Sequence, residues 1–458
     1  MNKRYLREKS ILYLFKVAIT LLMTGSIFLI WFFYYNPIIK LPFYEKGHYL
    51  MSVVFTVIYL VFTRVYGGFM VGTASVIDLI FSQIIAIGFT VGSSYAIFTL
   101  LSYKLVNPVP LIIFFFVFCI VAALWCLIAD KVYFRLHKAK RTIVIFGNKE
   151  SYESLKGIKG MTKRFVVEET YDSEETTLDF LFEKIIGFDA VFMCGVPSDY
   201  RNEILKYCIA KDIACFIKPK ISDTIIRGGK TIQMMNVPVY RCKRGDTGLI
   251  YLALKRIFDV VLSLIAIIIS SPFMLVIAAA IKLYDGGKVF YRQTRLTKDG
   301  KEFEVIKFRS MIQDAEKDGV ARLAKDGDNR ITPVGKVIRM LRFDELPQLF
   351  NIFKGDMSFV GPRPERPEIA KQYEKDMPEF ALRLQVKAGL TGYAQVYGKY
   401  NTPPYDKVQM DLMYVANQSL VEDLKLMLMT FKILFIPSST EGVSTEQTTA
   451  KKENSDQE

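Results

Sequence analysis

Histidine is almost absent. The 458 residues hold two, His48 and His137, both beside apolar runs. Histidine general-base catalysis and histidine-rich metal sites are thereby all but excluded, and any chemistry must rest on carboxylates, Lys, Arg, Ser or Tyr. Cysteine is also sparse. Cys119, Cys126, Cys194, Cys208, Cys215 and Cys242 form no CxxC pair, and two of them sit in an apolar run. They read as reduced, mostly buried thiols rather than a metal or redox site. No small-residue cleavage site follows the basic N-terminus and first apolar run, which reads as an uncleaved membrane helix.

What is abundant is apolar and basic. Half the chain is apolar and 14% is aromatic, and the net charge is +14. An excess of this sign on a membrane protein points to cytoplasmic loops and anionic headgroups, not nucleic acid, and suits a polyanionic substrate such as a nucleotide. The length allows two or three domains. Four charge-poor runs come first, at about Val17–Tyr35, Tyr49–Thr63, Leu79–Leu101 and Val109–Ala129. The second is short for a span. Lys3, Arg4, Arg7 and Lys9 precede the first, and Lys131, Arg135, Lys138, Lys140 and Arg141 follow the fourth. Both ends of the predicted four-helix bundle, residues 1–138, therefore read as cytoplasmic.

Residues 139–248 alternate strand-like stretches ("RTIVIFGN", "FDAVFMCGV", "DIACFIK", "IQMMNVPVY") with helical ones such as Asp199–Lys211. That pattern predicts a small parallel α/β domain. Gly147 after the first strand invites a nucleotide-binding reading, but "GNKESYES" is not GxGxxG, so a Rossmann-like fold without cofactor is expected. A sugar-nucleotide dehydratase or epimerase would need that fingerprint together with a Tyr-x-x-x-Lys pair here, and the fingerprint is absent. The tail, residues 438–458, is polar and expected to be disordered.

A fifth apolar run, Val260–Ile281, carries no charge and holds Ser270, Ser271 and Pro272 at its centre. Arg241, Lys243, Arg244, Lys255 and Arg256 precede it, and Lys282, Lys288, Arg292, Arg295, Lys298 and Lys301 follow it. A span should show the basic excess on one side only. Pro272 removes a helical N–H and favours a kink, and the serines can bond the carbonyls it frees. A bent, re-entrant helix pair over about 255–283 is expected.

The densest motif is "GKVIRMLRFDELPQLFNIFKGDMSFVGPRPERPE" from Gly335. Asp344 could cap a helix whose first turn holds Pro347. The same placement would keep an Asp nucleophile ionised, with Glu345 beside it to hold a divalent ion. Arg339, Arg342 and Arg363 are near enough in sequence to clamp phosphate, and the prolines around Arg363 would fix its direction. In "VIKFRSM", Lys307 and Arg309 share one face of a strand. In "VKAGLTGYAQVYG", Gly389, Gly392 and Gly398 surround Thr391, Tyr393 and Gln395 and would let backbone approach a ligand.

In this order, the Ser-Pro segment, "KFRSM", "RFDELPQLFN", "SFVGPRPE", "GLTGYAQV" and "DLMYVANQSLVEDLKL" resemble the bacterial sugar transferase family, the monotopic phosphoglycosyl transferases, over residues 249–437. The upstream domains look like the large form that initiates exopolysaccharide, capsule or O-antigen synthesis. The resemblance implies a membrane α-helical bundle, a Rossmann-like α/β domain and an α/β monotopic catalytic domain with a re-entrant membrane helix. It implies transfer of a sugar 1-phosphate from a UDP-sugar to undecaprenyl phosphate, with release of UMP and a need for Mg²⁺. Asp344 matches the nucleophile, Glu345 its partner and metal ligand, and Arg339 and Arg363 the phosphate contacts. Lys307, Arg309, Gly389, Thr391, Gly392 and Gln395 match further parts of the site, and Asp259, Ser271 and Pro272 the membrane anchor. A bacterial inner-membrane location, a cytoplasmic catalytic domain, contact with membrane lipids and a homodimer are the corresponding expectations. The chain departs from the pattern at Ala388, where many members have proline, and in "GKYNTPPYDKVQMD". A non-catalytic export or chain-length component is the alternative, and it would need polar residues lining the bundle.

Overall fold

The apolar runs become helices because only a helix satisfies its own backbone polar groups inside lipid. In the computed structural model, residues 3–39, 42–148, 163–244, 247–312, 328, 330–398 and 402–434 are described. They fall into two compact units, residues 1–219 and 220–458. The expected disordered tail lies outside the described residues.

The first unit opens with α1 (Lys3–Ile30), extended by a wider turn over Trp31–Tyr35. Then come α2 (Lys46–Tyr66), α3 (Val76–Ser102) and α4 (Val109–Leu136). Each packs on the next, and α4 returns to α1. The second run is longer than its apolar core, because Lys46 and Arg64 are taken into a 21-residue helix. Aromatic packing fills the centre: the Phe98 ring stacks on Trp31 at 5.1 Å and on Tyr35 at 4.5 Å. The buried Gln83 is satisfied there, accepting from the Tyr59 hydroxyl (2.9 Å) and donating to the Gly68 carbonyl (2.8 Å).

The same unit carries a four-stranded parallel sheet in the order β2-β1-β3-β4. Its strands are β1 (Lys140–Phe146), β2 (Phe165–Asp172), β3 (Ala190–Cys194) and β4 (Ala214–Ile217), with α5 (Leu178–Ile185) and α6 (Ser198–Ala210) as crossovers. This is a small parallel α/β arrangement, strands alternating with helices as the sequence pattern predicts. β2 escaped the sequence reading because charges interrupt "FVVEETYD", an edge strand buried chiefly at Phe165. Gly147 serves packing: a Cβ there would lie 2.3 Å from the Gly195 carbonyl oxygen on the neighbouring strand's exit. Cys126, Cys194 and Cys208 are buried, Cys119 and Cys215 are partly buried, and Cys242 is exposed.

The second unit begins with α7 (Ile221–Arg227) and an antiparallel hairpin, β5 (Lys230–Met234) and β6 (Val237–Arg241). "IQMMNVPVY" is thus two strands, not one, because Met235 and Asn236 both adopt positive φ and reverse the chain. Ile221 is buried with Ala370, Phe380, Val408 and Leu412, so the start of this unit shares a core with its later helices. A sequence boundary at 248/249 falls inside this unit.

Helix α8 (Leu249–Asp285) is a single helical element with Pro272 inside, not a separated pair. Pro272 leaves the Ile268 carbonyl without its usual donor, and the Ser271 hydroxyl donates to it over 2.8 Å. The Ser270 hydroxyl bonds the Ala266 carbonyl at 2.6 Å. Ile257, Val261, Ile265, Ile268, Ile269, Phe273 and Val276 are exposed along it. Among the described residues five helices, α1 to α4 and α8, are long and apolar enough to cross a membrane. The rest of the unit is the β7 (Phe290–Leu296) and β8 (Glu302–Phe308) hairpin, α9 (Pro333–Met340), α10 (Gln348–Lys354), β9 (Ser358–Val360), α11 (Pro367–Asp376), β10 (Gly389–Thr391), α12 (Tyr393–Tyr397), α13 (Pro404–Ala416) and α14 (Leu420–Leu434).

Candidate active site

The acidic pair sits on a tight turn, Phe343–Glu345, between α9 and α10. Two apolar side chains pin that turn. Phe343 and Leu346 pack into a cluster built from Met274, Ile277 and Ile281 of α8, Phe308 of β8 and Ile338 of α9. The carboxylates are therefore mounted directly over the membrane helix. Arg342 enters the turn with φ +58°, a conformation disfavoured for a non-glycine residue and common where function over-determines the backbone. Asp344 does not cap α10, contrary to expectation. Pro347 takes the position just before that helix, and Asp344 lies a turn upstream.

Glu345 is held hard. Its Oε1 accepts from Lys307 Nζ at 3.0 Å and from Arg363 Nη2 at 3.2 Å. Burial pushes its carboxyl up, but the charges of Lys307, Arg363 and Arg342 win and hold it well below the usual carboxylate range. Burial pulls the Lys307 ammonium below its ordinary value against the pull of Glu345. The Glu345 charge raises the Arg363 guanidinium further, although that side chain is 48% exposed.

Asp344 is different. It makes no hydrogen bond or ion pair among the described residues. Burial, and then the neighbouring Glu345 charge, push its carboxyl above the usual range, while Lys307, Arg339 and Arg342 pull it back. The expectation that a helix end keeps Asp344 ionised is corrected. Cations do that here, and they only partly offset burial. Arg339 is half-buried on α9 and acts on Asp344 through its charge alone.

Lys307 and Arg309 part company. Lys307 reaches Glu345, whereas Arg309 lies beyond the end of β8 and pairs with Asp285 at the end of α8. The structure thus assigns Arg309 to the helix junction, not to the acidic pair.

The glycine-rich segment meets Arg363 through backbone. A Cβ on Gly389 would lie 2.1 Å from the Gly361 nitrogen, and one on Gly392 would lie 2.2 Å from the Gly361 oxygen. These glycines let β10 and its exit press against the loop that carries Arg363. The Thr391 hydroxyl bonds the Thr430 hydroxyl at 2.6 Å, and the Gln395 side chain finds no partner among the described residues. Ala388 donates its N–H to Thr297 Oγ1 at 3.1 Å, a bond that proline at this position would forbid. Arg383 was missed in the sequence. It is buried, pairs with the buried Asp411 at 2.7 Å and donates to the Arg363 carbonyl at 2.8 Å. Nothing local marks it, since its partners are distant in sequence.

Comparison with known proteins picks out the same stretch of chain. A model of the family described as bacterial sugar transferase matches residues 250–437. The exopolysaccharide production protein ExoY of Rhizobium meliloti is 37% identical over 190 residues, covering 38% of this chain and 83% of that protein. The chain belongs to the bacterial sugar transferase family. Two larger family relatives are also similar. The UDP-N-acetylgalactosamine-undecaprenyl-phosphate N-acetylgalactosaminephosphotransferase of Aeromonas hydrophila is 43% identical over 188 residues, 40% of this chain and 44% of that one. The UDP-glucose:undecaprenyl-phosphate glucose-1-phosphate transferase of Klebsiella pneumoniae is 37% identical over 254 residues, 53% of this chain and 54% of that one. The match spans about half the length of each of these two relatives. The family match, residues 250–437, covers the elements of this site, from α8 through α14.

Proposed function

We propose that this protein transfers a sugar 1-phosphate from a UDP-sugar to undecaprenyl phosphate, releasing UMP, as the first membrane step of exopolysaccharide, capsule or O-antigen synthesis. The observation that carries the reading is the contrast within the acidic pair: Glu345 is bound by two cations, while the adjacent Asp344 carboxylate is unengaged. The names of the relatives support the substrate classes, and they differ in the sugar, glucose or N-acetylgalactosamine.

In the proposed double displacement, a carboxylate oxygen of Asp344 attacks the β-phosphorus of the UDP-sugar. The bond from that phosphorus to the bridging oxygen breaks, and UMP leaves with the oxygen. A phosphate oxygen of undecaprenyl phosphate then attacks the same phosphorus, and the bond to Asp344 breaks. Arg363 and Lys307 hold Glu345 and place positive charge where the diphosphate must approach. Arg339 adds charge beside Asp344. The donor chemistry fits Mg²⁺, since the second oxygen of Glu345 and the carboxylate of Asp344 are hard oxygen ligands. Among the described residues no third acidic, His or Cys side chain joins them, so substrate phosphates and water would complete the shell. When bound, the ion would neutralise diphosphate charge.

The reading includes a re-entrant α8 and a cytoplasmic site. Both halves of the helix pack on one unit: Arg256 bonds the Ile352 and Phe353 carbonyls, and Asp285 pairs with Arg309. A straight helix would hold Arg256 and Asp285 about 43 Å apart. Yet Asn351, next to Ile352, bonds the N–H of Ile306, three residues from Arg309. Pro272 lies between the two contacts, where a missing helical N–H favours the bend that the proposal needs. The test is UMP release by membranes holding the full chain, given undecaprenyl phosphate and a panel of UDP-sugars. Release with one sugar and dependence on the lipid are expected. No release with any of them, from folded protein, would overturn the reading.

A further inference from the structure

The membrane helix grips the strand that leads to Arg363. Lys255 Nζ on α8 donates to the Val360 carbonyl (3.2 Å), to the Tyr414 hydroxyl (2.9 Å) and to Asp423 Oδ2 (2.8 Å). One turn later, Asp259 Oδ1 accepts the Phe359 N–H at 3.1 Å. The i,i+4 spacing places both side chains on one face of α8. Phe359 and Val360 end β9, and Gly361, Pro362 and Arg363 come next.

These bonds are buried and highly connected. The Lys255 side chain is 14% exposed and that of Asp423 4%. Asp423 also accepts from the hydroxyls of Tyr251 (2.9 Å) and Tyr414 (2.7 Å). A buried ammonium is tolerated only with such partners, and here one of its partners is the backbone of β9. Beyond Val360 the loop is tied at Gly361 to Thr391, at Pro362 to Gly389 and at Arg363 to Arg383. The α8 side of the loop is thus held through Lys255 and Asp259. Arg256, their neighbour, anchors the same helix elsewhere, on the Ile352 and Phe353 carbonyls at the end of α10.

We propose that Lys255 and Asp259 are positioning residues that set Arg363 against Glu345, so that the seating of the membrane helix is transmitted to the phosphate site. The proposal rests on the sugar 1-phosphate transfer in taking Arg363 as a phosphate contact. It goes further in making the anchor of α8 part of the site's alignment.

A double-mutant cycle on the full chain in membranes tests it, normalised to inserted, folded protein. Lys255→Met and Asp259→Ala are expected to lower kcat/KM for the UDP-sugar about tenfold. In an Arg363→Gln background the same changes should lower it less than about twofold, because the arginine they align is gone. Asp259→Asn keeps an acceptor for the Phe359 N–H and should restore most of the activity. Arg256→Met should cost the same with or without Arg363. Losses that multiply in the Arg363→Gln background, or an Asp259→Asn as poor as Asp259→Ala, would overturn the proposal. Absence of UMP release from the wild type would instead overturn the reaction. The cycle can then be read from the Kd for UDP, where the same pattern is expected, and additive changes would again reject the alignment.

Discussion

Lys307 Nζ donates to Glu345 Oε1 across 3.0 Å, and that bond joins the β7–β8 hairpin to the turn carrying the acidic pair. Arg363 shares the same oxygen from a third element. One carboxylate therefore ties three segments together and leaves its neighbour, Asp344, uncommitted. In the proposed reaction the adjacent acidic residues divide the labour: Glu345 organises cations, and Asp344 reacts.

Asp344→Asn should abolish turnover while sparing binding. UMP release is expected to fall by at least about a thousandfold, as for loss of a nucleophile. Intact-protein mass after incubation with UDP-sugar and Mg²⁺, without lipid, should show one added hexose phosphate in the wild type and none in the variant. Sequential kinetics without an adduct would point to direct attack by the lipid phosphate.

Glu345→Gln leaves Lys307 and Arg363 facing each other without their anion. Breaking a largely buried pair costs about 3 kcal/mol. The carboxyl of Glu345 is held below its ordinary value, so the stability it contributes is present above the unfolded Glu value of about 4.3 and is lost as pH falls further. Thermal melts in detergent should show acid destabilisation of the wild type below that pH and a flatter profile in the variant.

Asp411 has the opposite sign. It is 1% exposed, and burial pushes its carboxyl up to about 6 despite Arg383. The folded state holds the proton more tightly than the unfolded chain, so its contribution is fully present below about pH 3.9 and is lost as pH rises through about 6. Melts between pH 4 and 6 should show a declining term in the wild type that is missing in Asp411→Asn. UMP release by that variant should also fall, because Arg383, which bonds the Arg363 carbonyl, loses its counter-ion.

Pro272→Ala restores the N–H that α8 lacks and removes the reason for the Ser271 bond to Ile268. Straightening should move the second unit to the outer face in a fraction of molecules. With the exposed Cys242 replaced by serine and Lys371 by cysteine, labelling of intact cells should be absent in the parent and present with Pro272→Ala. Labelling already in the parent would show that α8 crosses the membrane.

Much of this was legible in the chain. The long apolar runs could only be helices, and the paired basic flanks and Ser-Pro centre of α8 announced an unusual membrane element. "RFDELPQLFN" and "GPRP" marked Asp344, Glu345 and Arg363 by type and order. The hairpin at Met235 and Asn236 was misread because positive φ at two non-glycine residues has a weak sequence signal. β2 was missed because an edge strand tolerates charge, which hides the alternation.

The sequence by itself determined the long apolar helices, the order of the site motifs and the family, because hydrophobic period and short motifs are local properties. Only the tertiary structure decided that Lys307 serves Glu345 while Arg309 serves Asp285, that Gly389 and Gly392 make room for Gly361, and that Asp344 is pushed towards its protonated form. The physical reason is distance. Charge interactions and burial depend on which remote segments are brought within a few ångströms, and residue spacing along the chain does not encode that.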